Sequence, residues 1–433
     1  MDPPVMTSAD GALLNEQYAA SVTTSSARLA RTAADTMRIV FLCKRRYMAK
    51  DVIVDRYARL YEIPRQLADL GHEVLGLCLS YYDDKEGEWS HETNGGELHW
   101  VSRSVGRTVL PGLLRYPRSA LAAARQFGPD LVIGASDIPH VVLGRWLAQR
   151  LGVPFVADLY DNFESFGLAR IPGSVRAFRH AVREADAVTC TSQSLAQHVR
   201  DVYRATGAVT AMPSTVDKRV FRARDKAESR RLLGLPEKAK LIGTAGGLHA
   251  DKGIGTLYEA YAKLVADDPT IHLVLAGPSD RRLSPPTGPR VHYLGCLPHE
   301  QVARLFAALD VGVIYLRDTP FGRFCFPQKA YEMAACGLPI VAAAVGDVRH
   351  LLANHPESLY RPDDSGDLAE HLREQMLAPR VPSVRIDGWR DIVKEFEPTL
   401  RGLVDVRHTA AAVRPTVYCH RSLPGANTSQ YEN

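Results

Sequence analysis

FPQKAYEMAACGLPIVAAAVGDV, residues 326–348, sets Lys329 and Glu332 one helical turn apart, then runs into an apolar strand and a glycine turn. A helix beginning at Pro327 has proline where a backbone donor would be unused anyway. The residues before it, Phe326 and Cys325, cannot accept the free N–H groups as Ser, Thr, Asp or Asn would. Those donors are open to an anion such as phosphate, or to solvent, in which case Lys329 and Glu332 form an ordinary surface pair. The run LPIVAAAV (338–345) is short and continuously apolar, the pattern of a strand buried on both faces of a parallel sheet.

Similar units lie on either side of this one. Upstream, KLIGTAGGL (240–248), IHLVLAGP (271–278), VHYLGCL (291–297) and DVGVIYL (310–316) read as strands, with helices over 253–266 and 298–309 between them. Further upstream an earlier series starts at MRIVFLC (37–43), with a helix over 55–71 and the strand HEVLGLCLS (72–80). A polar hairpin-like region around NGG (94–96) comes next, then GPDLVIGAS, HVVLGRWLAQRLG and VPFVADLYD as strand, helix, strand across 128–161. A helix over 174–185 and the strand DAVTCTS (186–192) complete this half. Two such series predict an α/β chain of two Rossmann-like, doubly wound domains. The expected divisions are an extension over 1–36, a first domain over 37–205, a second over 206–388, a helix over 389–405 and a tail over 406–433. Met37 is an alternative start.

The bulk properties fit this reading. A chain of 433 residues is long for one core, and 45% hydrophobic with 24% charged residues suits a globular protein. A net charge of +4 is too mild to argue for nucleic acid. Seven cysteines without a C-x-x-C pair or zinc spacing fit a reduced cytosolic chain; Cys43, Cys78, Cys190 and Cys336 lie in apolar runs and read as core. No apolar run reaches the ~20 residues of a membrane span, and residues 1–36 hold no signal-peptide core.

Ligands of doubly wound sheets bind at the carboxyl ends of strands. In GTAGGLHADKGIG (243–255), Gly246 and Gly247 allow a close backbone approach and Lys252 can supply a point charge, although the spacing is not that of a P-loop. Gly277 and Gly295 end two further strands, as turns or as parts of the same site. Together with Lys329 and Glu332 they form the kind of edge a nucleoside diphosphate needs. In the first domain DLYDNFES (158–165) carries Asp158, Asp161 and Glu164, able to orient a hydroxyl, act as a base or cap a turn. The basic loop CKRRYMAKD (43–51), with Lys44, Arg45 and Arg46, reads as a solvated face or as a site for an anionic acceptor or membrane phosphates.

Over residues 37–405 these motifs resemble the family-4 glycosyltransferases of GT-B architecture, two domains facing across a cleft with a C-terminal helix crossing back. YEMAACGLPIVA (331–342) resembles their E-A-M-A-C-G-L-P-V-V-A signature, GGL…DKG their glycine turn, and Trp389 with the helix after it their crossover helix. The resemblance implies a metal-independent, retaining transferase with no cofactor, using a nucleotide-diphosphate sugar as co-substrate. It places Lys252 on the donor phosphate, Glu332 on the ribose, and backbone near Gly277 and Gly295 to Leu297 at the base. Asp161, Lys252 and Glu332 are then the expected catalytic residues. Lys44, Arg45, Arg46 and Tyr160 would meet a glycan or lipid-linked acceptor. The family's first signature glutamate falls on Phe324, its arginine before Leu248 on Gly247, and its cleft histidine on the DLYDN stretch. The chain is similar to the F-P-x-K-x-x-E subgroup, where Lys329 or Arg323 would replace the lost charge. The implied setting is cytoplasmic assembly of surface polysaccharide or glycolipid, with possible contact at the inner face of the plasma membrane. A sugar-nucleotide 2-epimerase of the same architecture and a nucleotide-sugar-binding module without catalysis are the rival expectations.

Overall fold

The computed structural model describes residues 36–48, 50–106 and 109–412. The expected extension lies almost wholly outside them, as does the end of the expected tail. In the first half come β1 (Arg38–Lys44), β2 (Arg46–Tyr47), β3 (Lys50–Asp51), β4 (Glu73–Ser80), β5 (Gly87–His91), β6 (Glu97–Ser104), β7 (Leu131–Ala135), β8 (Phe155–Leu159), β9 (Ala187–Cys190) and β10 (Ala208–Ala211). Eight of these form one sheet in the order β10-β9-β8-β7-β1-β4-β6-β5, while β2 and β3 make a separate hairpin. Every neighbour pair in the large sheet is parallel except β5 with β6, the hairpin around NGG.

The parallel pairing follows from burial. Within β1, Val40 and Leu42 face one apolar cluster while Ile39, Phe41 and Cys43 face another, so side chains alternate but no face meets water. Helices therefore cover both faces. Helix Ala58–Asp69 contributes Leu60 and Leu67 to one cluster and helix Ile138–Leu151 contributes Val141 and Leu147 to the other. Asp137 starts the second of these helices by accepting the backbone N–H of His140 at 3.1 Å, and Gly152 ends it at φ 72°.

The second sheet contains β11 (Lys240–Ala245), β12 (Ile271–Ala276), β13 (Val291–Tyr293), β14 (Val311–Ile314), β15 (Ile340–Ala343) and β16 (Leu359–Tyr360), all parallel, in the order β13-β12-β11-β14-β15-β16. In each sheet the strand order reverses at one strand, β1 in the first and β11 in the second. The crevice beyond such a switch point is where this architecture binds ligands. Lys44 ends β1 and Gly246 follows β11, so both switch points carry residues singled out in the sequence.

Two divisions differ from the expected ones. β10 pairs with β9, so the first domain extends past residue 205. The last helix runs Trp389–Ala412, past residue 405, and buries Ile392, Val393, Phe396, Leu400 and Val404 in the first domain's core beside Met37 and Leu60. It thus returns to the first domain after the second is complete. A region the sequence reading left unassigned is helix Val109–Phe127, which tolerates Pro117 within it.

Candidate functional site

The end of β11 collects the cations. Gly246 has φ 114°, and a side chain there would meet Lys329 Cε at 2.8 Å; a side chain at Gly247 would come within 3.6 Å of Lys252 Nζ. Two ammonium groups from different helix starts therefore flank one glycine pair. Each lies over an aromatic ring, Lys252 over Phe321 at 5.2 Å and Lys329 over Tyr315 at 4.9 Å. The Tyr315 hydroxyl donates to the Gly247 carbonyl at 2.8 Å and fixes the loop. Burial, and next the charge of Lys252, lower the Lys329 ammonium to about 8. Two facing cations in a partly buried position repel each other unless an anion lies between them.

Helix Gln328–Ala335 begins one residue later than the sequence suggested, with Pro327 as its uncapped N-cap. Its donors are not all open, however: Gln328 N–H reaches the Phe326 carbonyl and Ala330 N–H the Pro327 carbonyl, both at 2.9 Å. Glu332 is buried rather than part of a surface pair, and burial pushes its carboxyl up to about 7 despite Gln328 and Lys329 nearby. Gln328 Nε2 donates to it at a long 3.4 Å.

Gly277 serves the loops more than a ligand. Its N–H donates to the Gly295 carbonyl at 2.7 Å and its carbonyl accepts the Tyr293 hydroxyl at 2.8 Å. Gly295 itself is open, with nothing within 4 Å of its missing Cβ, and Leu297 is half-buried against the second domain's core. Arg323 departs from expectation: it is exposed and its guanidinium pairs with Asp318 at 2.5 Å, so the structure does not bring it to the two lysines. Phe324, in the place of the first signature glutamate, packs against the first domain, its ring 4.6 Å from that of His198. The Ser192 hydroxyl donates to the Phe324 carbonyl, and Asp347 accepts the backbone N–H groups of Gln193 and Ser194 at 2.8 Å each. These contacts clasp the second domain to the first.

Across the cleft Asp161 faces both domains. Burial raises its carboxyl to about 6, and Lys252 from the second domain and Lys44 from the first pull against that rise. Lys44 donates to the Tyr160 hydroxyl at 2.7 Å. The other candidates here are structural. Asp158 is buried and pairs with the buried Arg59 at 2.6 Å while accepting the Thr189 hydroxyl, and Glu164 pairs with Arg179. Arg45, expected on the acceptor, is buried and bonded to Asp51 at 2.9 Å and Ser102 at 3.2 Å. Arg46 does line the cavity of this domain, but Asp84 engages it through two bonds. Both arginines of the basic loop are thus neutralised by the fold itself.

Sequence reasoning missed Asp137, Tyr81 and Phe163, which line the same cavity. Asp137 accepts the Tyr81 hydroxyl at 3.0 Å, and its Oδ1 lies 2.6 Å from His140 Nδ1. The signal was SDIPH (136–140) directly after β7, a cap and a histidine at a strand end.

Comparison with known proteins matches residues 57–214 to the Glycosyl transferase 4-like domain and residues 239–377 to Glycosyl transferases group 1. The D-inositol 3-phosphate glycosyltransferase of Stackebrandtia nassauensis is 32% identical over 263 residues, 56% of this chain and 56% of that protein, so the chain spans little more than half of it. The enzyme of the same name from Thermomonospora curvata is 30% identical over 312 residues, 62% of this chain and 71% of its own length. Among solved structures, Anabaena HepE in complex with UDP superposes with a TM-score of 0.56 at 17% identity, covering 87% of this chain and 99% of that one.

Proposed function

Because this chain belongs to the family-4 type of GT-B glycosyltransferases, we propose that it moves a hexose from a nucleoside-diphosphate sugar to a hydroxyl acceptor, with retention of configuration and without a metal. The observation that carries the reading is the pair of ammonium groups, Lys252 and Lys329, on the glycine pair after β11. They supply the countercharge a diphosphate needs both when bound and when leaving. In this reading Glu332 binds the ribose and the base lies by Gly295, where nothing stands within 4 Å of a missing Cβ. Asp161 stands between the two domains' lysines, where an acceptor hydroxyl would approach, with Lys44 and Tyr160 on the acceptor's side. Attack from the face the diphosphate leaves lets the leaving phosphate take the hydroxyl proton. The UDP held by the similarly folded HepE makes a uridine nucleotide the first donor to try. Among the described residues no helix is long and apolar enough to cross a membrane. The proposed setting is the cytoplasm, in polysaccharide or glycolipid assembly.

The test is thermal stabilisation of the purified chain by a panel of nucleoside diphosphates and their sugars. One base should raise the melting temperature well above the others. Lys252→Ala should weaken that nucleotide by tenfold or more, since a charged hydrogen bond contributes about 1.5–3 kcal/mol. A Lys252→Ala protein that binds as tightly as the parent would remove the donor site from this loop.

A further inference from the structure

A cavity of about 730 Å³ opens at the carboxyl ends of β1, β4, β7 and β8. That volume lies in the range of small-molecule sites. Its walls are largely aromatic and aliphatic: Tyr81, Tyr160 and Phe163 deep in it, with Met48, Tyr82 and Phe166 at the rim. The rim residues are 69%, 65% and 44% exposed, so apolar surface continues outward from the cavity onto the protein's face. Isolated exposed hydrophobics need no explanation, but three of them framing one cavity do.

The charges in the cavity cancel. Arg46 is held by Asp84 through bonds of 2.5 and 3.1 Å. Asp137 is held by Tyr81 and His140. Among the described residues Lys44 is the one cation of the lining with no ion pair, and its ammonium already donates to Tyr160 while Asp137 and Asp161 attract it. A phosphorylated acceptor would find no unpaired guanidinium to grip it in the bidentate way phosphates favour. The opposite end of the cavity, at Lys44 and Tyr160, adjoins Asp161 and so the donor loop.

We infer that the acceptor hydroxyl is carried by a molecule with an uncharged apolar group, an alkyl chain or an aryl ring, which fills this cavity and extends over its rim. This rests on the glycosyl-transfer reading and fixes the acceptor's chemistry within it. The hydroxyl lies at the Lys44 and Asp161 end, and the apolar group lies against Tyr81, Phe163 and Phe166. Desolvation of that group supplies the affinity.

The experiment is calorimetric titration of the full chain, saturated with its nucleotide, with methyl, hexyl, octyl and phenyl glycosides of one sugar and with that sugar's phosphate. Each buried methylene is worth roughly fourfold in affinity, so hexyl should bind at least tenfold more tightly than methyl, and the phosphate no better than methyl. A gain with hexyl and octyl beyond phenyl identifies a lipid chain as the source; a larger gain with phenyl identifies an aromatic one. Tyr82→Ser and Phe166→Ser alter exposed side chains, leave the fold and nucleotide binding intact, and should together cut the gain of octyl over hexyl, the part that extends over the rim. Equal affinities across the series, no binding by any of them, or a preference for the phosphate overturns the inference. Failure of the nucleotide itself to stabilise the protein overturns the transferase reading instead; the series, then run without nucleotide, still decides the cavity's chemistry on its own.

Discussion

Glu332, proposed for the donor's ribose, is by its burial a destabilising group. Burial holds it at about 7, against 4.5 for a free glutamate, so between those values the folded chain keeps a proton the unfolded chain has lost. Stability must therefore fall as pH rises from about 4.5 to 7, by up to about 3 kcal/mol for a shift of this size. Asp161, raised by burial to about 6 from 3.8, acts in the same direction over a lower range. Lys329 has the opposite sign: lowered to about 8 from 10.5, it costs stability in full below pH 8 and less above. The nucleotide-free protein should thus lose stability between pH 5 and 7, and Glu332→Gln, which keeps the shape without the charge, should flatten that slope. Urea titrations of both proteins at half-unit intervals check this. Parallel pH profiles would mean that the carboxyl is solvated and not held as described. Such a strained group is what a ligand with ribose hydroxyls would relieve, which links the residue's cost to its proposed use.

At the scale of elements, the loops after β11, β12 and β13 behave as one piece. Gly246 N–H reaches the Ala276 carbonyl at 2.9 Å, Gly277 N–H the Gly295 carbonyl, and a Cβ at Gly277 would stand 2.1 Å from the Gly246 carbonyl oxygen. With φ at 122° as well, Gly277 admits no side chain without moving the loop that carries Lys252 and lies against Lys329. Gly277→Ala should cost at least about 2 kcal/mol, from strain and overpacking together, and weaken nucleotide binding without touching the nucleotide. Denaturation and thermal shift measured on the same variant check both; an unchanged nucleotide affinity would separate the two loops. The strands beneath these loops were legible because a strand buried on both faces reads as a continuous apolar run, as β1, β12 and β15 do. The glycines and Lys252 were legible for the same reason: they fall where such a run stops. What escaped was whatever depends on partners distant in sequence. Arg45, Arg46 and Arg59 look like one basic patch along the chain, yet Asp51, Asp84 and Asp158 neutralise them one by one. Strand β10, AVTA, is short and half exposed at the sheet edge, so its membership of the first sheet has no apolar signature. Helix Val109–Phe127 was hidden by Pro117.

For the molecule as a whole, chain order and stability part company. Helix Trp389–Ala412 follows the second domain in sequence but lies in the core of the first, where Val393 and Leu400 are fully buried beside residues of β1 and β4. Its packing and the clasp of Asp347 on Gln193 and Ser194 hold the domains together from two places. Phe324 joins that clasp, which gives the missing signature glutamate a physical reading: the position has become an interdomain contact. Leu400→Ala removes a buried side chain from a packed layer and should cost about 2–5 kcal/mol. The loss should appear in the first domain, although the substitution lies beyond the end of the second. Hydrogen exchange resolves the two: amides of β1, β4 and β7 should lose protection in the variant while those of β11, β12 and β14 keep theirs. If protection fell first in the second sheet, the helix would belong energetically to the domain it follows. If both sheets lost protection equally, the two domains would unfold as a single cooperative unit.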